Sequence, residues 1–209
     1  MAALTRSEVI TRIASGEGFE EEDLSFTDLS GLDLSGQNFA HATLTRANMT
    51  GAKMVGCDLS EAYMVEVEAN GADFTGANLN RTFFQRALVE GACFKDANLT
   101  EVQLLLCQVT GANFAGARMW GGTMIDSVMD NVNMDGADCT GAIFRGATME
   151  EASFDGTILV RSDMRKVKLM NAKFNNVADD DVLFYGKKPW SGHSTGHNYG
   201  DILPYFQDD

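Results

Sequence analysis

Histidine, proline and positive charge are what this 209-residue chain has least of. Three histidines leave little for metal or acid–base chemistry, and two prolines exclude a collagen-like or proline-rich chain in spite of 21 glycines. Only 16 Lys+Arg stand against 30 Asp+Glu, for a net charge of −14. Direct nucleic-acid binding and an anionic membrane are therefore not expected, because phosphate binding is driven by lysine and arginine. A basic partner, or a surface that normally binds DNA, would be attracted. Four cysteines, Cys57, Cys93, Cys107 and Cys139, show no metal spacing, and no segment after Met1 has the basic-then-apolar pattern of an export signal. These features point to a reducing, cytoplasmic setting. With 44% hydrophobic residues, the composition is that of one soluble domain.

What is present is a period of five. Stepping by five from Phe19 to Phe174 gives 32 positions without an insertion, occupied by 10 Leu, 9 Phe, 9 Met, 2 Val, Ala69 and Cys139. Two residues earlier lies a register of small groups: 16 of the 28 positions from Ala42 to Val177 are alanine, and the rest are Cys, Val, Thr, Ser or Gly. Between the two sits a mostly polar residue, as in Asp58, Asp73, Asn78 and Asn98; after the large residue come Ser or Thr and often Gly. Positions two apart on an extended segment point the same way, so the small and large residues face inward together. Five is odd, so each unit must also contain a corner that restores the register, and the Gly-rich position supplies the freedom for it. Repeated units of this kind wind into a solenoid with one shared core.

Runs such as Ala72-Asp73-Phe74-Thr75-Gly76 and Ala112-Asn113-Phe114-Ala115-Gly116 resemble the pentapeptide-repeat family, over roughly three quarters of the chain. The resemblance implies an all-β fold: a right-handed β-helix of quadrilateral section with four pentapeptides per coil. Its 32 central positions would make about 8 coils, roughly 38 Å long at the spacing of paired strands. Val67, Val102, Val132 and Val167 at the small position, and Ala69 at the large one, are departures that imply local bulging or thinning. On the four-unit coil, Phe74, Phe94 and Phe114 should stack, with Phe154 and Phe174 continuing the line after Met134.

The expected organisation is a capping helix over residues 1–18, the β-helix over 19–177, and a C-terminal cap or interaction tail over 178–209. Thr5 to Glu8 fits a capping box, Leu4 can staple onto Val9, and Gly16 stops the helix. After Val177 the register is expected to give way to Asp179, Asp180 and Asp181. The tail that follows holds Phe184, Tyr185, Trp190, Tyr199, Tyr205 and Phe206, read as a cover for the last coil or a docking segment.

No catalytic constellation emerges: the Asp and Ser residues are motif positions first, and no enzyme activity or cofactor is expected. His193 and His197 stand four apart, but Gly192 and Gly196 argue against the helix that would make them a metal pair, and no metal site is assigned. His41 stands alone at a corner. Cys57, Cys107 and Cys139 fall on inward positions, and Cys93 on an outward one as an exposed free thiol.

What remains is the outer surface. Residues 20 apart should stack, which collects Tyr63, Val65, Phe83, Leu105, Ile125 and Ile143 into an apolar stripe bordered by Arg46, Arg86, Arg145, Arg165 and Lys166. That is the composition of a contact with a protein partner or a second copy. A further face collects Glu68, Glu90, Asp130, Glu150 and Glu151. The leading reading is a non-enzymatic scaffold or interaction module. The resemblance also implies an alternative, a DNA-mimicking inhibitor or protector of a type II topoisomerase such as DNA gyrase, in which the acidic face would serve.

Overall fold

A computed structural model describes residues 3–185 and 188–189. Beyond the short helix α1, Arg6–Ser15, no extended strand forms among the described residues. The chain is held instead by single-residue parallel bridges, each joining a residue to the one 20 further on, from Asp23↔Thr43 to Asp163↔Leu183. Twenty residues per turn and one bridge every five residues make a four-sided coil. The hydrogen bonds are regular: Leu44 donates its N–H to the carbonyl of Tyr63 (2.7 Å), and Tyr63 donates to that of Ala42 (2.9 Å). Each coil thus satisfies the backbone groups of its neighbours, and the core needs no continuous sheet.

We number the sides by their inward residues: face 1 carries Leu24 to Met164, face 2 Leu29 to Leu169, face 3 Leu34 to Phe174, and face 4 Phe19 to Leu159. Every central residue from Phe19 to Met164 is fully buried. On face 3 the rings of Phe74, Phe94 and Phe114 stack at 5.0 and 4.9 Å with 4° between planes, and Phe154 stacks on Phe174 at 4.7 Å. Phe84, entering from face 1, meets the edges of Phe74 and Phe94.

All 33 corner positions from Glu21 to Asp181 have positive φ, yet only 14 of them are glycine. The glycine-based expectation for the corner therefore covers fewer than half of the units; the stacked hydrogen bonds impose the left-handed conformation on the others. A bond from the small residue to the preceding large one closes most corners, as from Ala47 to Leu44 at 3.0 Å. The length of this bond does not follow the small residue: it is 3.4 Å at Val67, Val167 and Ala152, is absent at Val132 and Ala87, and is 3.1 Å at Val102. Where the small residue is Thr, Ser or Cys, its side chain in most coils donates to a carbonyl of the coil below, as Thr82 does to Leu59 and Thr157 to Met134, both at 2.8 Å; Ser162 makes no such bond.

The first coil is covered by α1. Thr5 and Glu8 form the reciprocal capping box and Gly16 ends the helix in the left-handed conformation. Val9 is fully buried, Leu4 and Ile13 pack on the core, and the Leu4 N–H donates to Asp23 at 2.8 Å, pairing an otherwise open edge. At the other end the register runs past Val177: Ala178 pairs with Ile158, Leu183 with Asp163, and Val182 is buried. Trp190, His193, His197, Tyr199, Tyr205 and Phe206 lie outside the described residues.

Candidate functional site

Face 1 projects two columns outward. The bridged residues Tyr63, Phe83, Gln103, Thr123 and Ile143 form one, and the first corner residues Val65, Gln85, Leu105, Ile125 and Arg145 form the other. Tyr63 and Phe83 stack at 5.1 Å with 4° between rings, and with Val65, Gln85, Gln103 and Leu105 they line one shallow groove. Ile125 lines a second with Arg145, Arg165, Lys166 and Tyr185. All six expected apolar residues thus share this face. The stripe is interrupted, because Gln103 and Thr123 separate Phe83 from Ile143, and Gln85 separates Val65 from Leu105.

The basic margin is partly neutralised within the face. Arg46 Nε lies 2.6 Å from Glu66, whose other oxygen is 3.9 Å from Arg86. Arg165 grips Asp163 through Nε and Nη2 at 2.8 and 2.7 Å. Burial pushes the Asp163 carboxyl up, but the bonds from Arg165 outweigh it and hold the group below its usual range.

The corner ridge between faces 1 and 2 separates this side from the rest. Its residues are Phe26, Arg46, Glu66, Arg86, Leu106, Asp126, Gly146 and Lys166, so one corner in eight is glycine, against 13 of 25 on the other ridges. Phe26 and Leu106 hold φ of 61° and 58° while 69% and 46% exposed. An L-residue in this conformation costs about 1–2 kcal/mol. Three stacked corners of the same ridge, 84–87, 104–107 and 124–127, also lack the closing backbone bond. In their place the Cys107 thiol donates to the Phe84 carbonyl, and the Ser127 hydroxyl donates to Leu104 while accepting the Cys107 N–H.

Neither Phe26 nor Leu106 follows from the apolar stripe in the sequence; the signal was a bulky residue in a corner slot where the repeat writes glycine. Trp120 was likewise missed. It is 49% exposed on face 4, in a slot the repeat gives to Ser or Thr, with the Arg118 guanidinium 5.7 Å from its ring centre.

The acidic residues are more dispersed than the stripe. Glu90, Asp130 and Glu150 share one column of face 2, but Thr110 stands between the first two, and Asp130 accepts the Glu150 N–H at 2.9 Å. Glu68 lies in the neighbouring bridged column, followed by Leu88, Gln108 and Val128, and Glu151 lies on a corner. His41 is not alone: its ring is 3.6 Å from Glu61, which begins a ladder continuing through Arg81 to Glu101. Burial pushes the thiols of Cys57 and Cys107 up to about 11 and about 12, and raises that of Cys139 further. Cys93 is half-buried rather than exposed, with its sulfur 3.2 Å from the Thr75 hydroxyl.

Eight copies of the pentapeptide-repeat motif match the chain, in segments running from 23–54 to 133–176. It belongs to the pentapeptide repeat family. Pentapeptide repeat proteins adopt a right-handed β-helix, which gives the four-sided coil its hand. This pentapeptide repeat protein is similar to HetL from Nostoc sp. strain PCC 7120, a protein involved in heterocyst differentiation regulation. The identity is 21%, covering 92% of this chain and 100% of that one, with a TM-score of 0.35. A trypsin-treated form of QnrB1, a plasmid-mediated fluoroquinolone resistance protein, is 16% identical over 82% of this chain and 94% of its own, with a TM-score of 0.50. A pentapeptide repeat protein of the Arabidopsis thaliana thylakoid lumen is 32% identical over 61% of this chain and 68% of its own, with a TM-score of 0.24. No curated protein matches the sequence. Among the described residues, no helix is long and apolar enough to cross a membrane.

Proposed function

We propose that this protein is a non-enzymatic scaffold that docks a protein partner on face 1 and its ridge. The observation behind this reading is the coincidence of costs on one side of the solenoid. The Tyr63–Phe83 stack, the exposed left-handed corners Phe26 and Leu106 and three consecutive opened turns fall there, although glycine fills 13 of the 25 corner slots on the other ridges. Backbone strain and exposed apolar area are each unfavourable in the free protein, and a partner that buries them offsets both. Tyr63, Phe83 and Leu106 would anchor the contact; Arg86 and Arg145 would orient it more than strengthen it. Co-purification with tagged wild type, with Phe83→Asp/Leu105→Asp and with a face 2 control, Glu90→Gln/Glu150→Gln, tests the reading. Partner proteins should be retained by wild type and control and lost from the face 1 variant. Equal retention by all three would refute it.

A second reading, protection or inhibition of a type II topoisomerase by DNA mimicry, is favoured by the net charge of −14. In this reading the acidic residues of face 2 would stand in for phosphates.

A further inference from the structure

Charge is distributed along the rod as unevenly as apolar surface is around it. The first coil, residues 19–38, holds six acids (Glu20, Glu21, Glu22, Asp23, Asp28, Asp33) and no base; the eighth, residues 159–178, holds five bases (Arg161, Arg165, Lys166, Lys168, Lys173) and one acid, Asp163. On face 1 and its two ridges Glu21, Glu22 and Asp23 lie at one end, with Glu22 paired to Arg12, and Arg145, Arg161, Arg165 and Lys166 lie at the other, with Arg165 paired to Asp163. The apolar residues lie between them.

A surface with acids at one end, bases at the other and an apolar centre is complementary to itself when turned end for end. A two-fold axis lying in face 1, across the rod between the levels of Phe83 and Gln103, leaves each column facing its own copy with coil order reversed. The regular 20-residue register then fixes which residues meet. On the ridge between faces 4 and 1, Glu21 falls opposite Arg161 and Arg81 opposite Glu101. In the outer corner column Val65 falls opposite Ile125, and in the bridged column Phe83 opposite Gln103; Asp23 falls opposite Asp163, which Arg165 neutralises, and Glu66 opposite Asp126, with Arg46 and Arg86 beside Glu66. Parallel pairing would set the acidic ends against each other. Face 1, about 38 Å long and five residues or about 16 Å wide, offers about 600 Å² per copy, which places the pair at the lower end of stable interfaces.

We propose that face 1 pairs with the same face of a second copy in antiparallel orientation, the acidic first coil of each rod lying against the basic eighth coil of the other. The proposal rests on face 1 being a docking surface and names its occupant.

Charge exchange tests it on the full chain. Glu21→Lys sets a lysine against Arg161, and Arg145→Glu/Arg161→Glu/Lys166→Glu makes both ends acidic. Sedimentation should show a wild-type dimer that weakens with salt, and each variant alone should associate at least tenfold more weakly. An equimolar mixture should recover the association as a heterodimer. Circular dichroism and the unfolding midpoint confirm that each variant is folded. A wild type monomeric at every concentration, or a mixture no better than its components, overturns the antiparallel pair. Either result leaves the docking face open to another protein. Partner retention by Phe83→Asp/Leu105→Asp would instead remove the face itself, so the two failures are distinguishable.

Discussion

Leu106 bears two local costs at once, a left-handed backbone and nearly half of its surface in water. Replacing it with glycine relieves the first, and the extra freedom of glycine in the unfolded chain takes back part of the gain. Leu106→Gly should therefore stabilise the fold by about 1 kcal/mol, read as a higher urea midpoint in the Phe83→Asp/Leu105→Asp background, where association does not contribute. In the wild-type background it should weaken association through face 1. A lower midpoint would mean that the corner needs the leucine for folding. The small-position hydroxyls offer a contrast. Thr82 donates to the Leu59 carbonyl, whereas Ser162, equally buried, has no partner among the described residues. Thr82→Ala should cost about 1 kcal/mol, while Ser162→Ala should be neutral or stabilising, because an unmade buried hydrogen bond is the more expensive state. Three thiols are sealed in the core with raised pKa, so a thiol reagent on the native protein should modify Cys93 alone of the four.

At the level of the repeating unit, most of the molecule is legible in the sequence, because one five-residue rule specifies the inward pair and the corner. The stacked phenylalanines of face 3 follow from arithmetic alone, and the helix ending at Gly16 follows from its capping residues. The corner is the exception: glycine marks only part of the left-handed positions, since hydrogen bonding between coils imposes the conformation on residues such as Arg46 and Glu61. Phe94 lies between Phe74 and Phe114, so Phe94→Ala should cost about 3–5 kcal/mol, its cavity walled by rings that cannot collapse into it. An unchanged denaturant midpoint would contradict the stack. The Asp residues before the turns add a pH dependence. Asp23, Asp28 and Asp33 are held below their usual range chiefly by side-chain hydrogen bonds from Ser25, Ser30 and Ser35, and then by the N–H groups of the same residues. A depressed folded pKa contributes stability that is fully present above the unfolded value of about 3.9 and is lost as pH falls through the folded one. The melting temperature should therefore hold from neutral pH to about pH 5 and fall below about pH 4, and replacing the three aspartates by asparagine should flatten that decline.

Over the whole rod, the candidate site was legible as a list of residues but not as a surface with direction. The 20-residue step collects Tyr63, Phe83 and Ile143 on paper, but it does not show Glu66 drawing in Arg46 and Arg86, or three corners opening beside Leu105. Axial polarity also weighs against the DNA-mimic reading. Duplex DNA carries one negative charge per about 1.7 Å, so a length of about 38 Å presents about 22 of them, with no change of sign along the axis. Residues 19–177 hold 22 acids and 12 bases, a net of −10, and the eighth coil is positive. Several of the acids are also committed to turns, as Asp58 is to Ser60 and Asp138 to Thr140. A protein that binds duplex DNA would thus meet under half of the charge it is built for, reversed at one end, and screening by salt would reduce the remainder. The full-length protein should leave gyrase supercoiling, and its poisoning by a quinolone, unchanged at low micromolar concentration. Glu90→Gln/Asp130→Asn/Glu150→Gln should behave the same. Salt-sensitive inhibition that this triple variant abolishes would establish the acidic face as the functional surface and displace face 1 from that role.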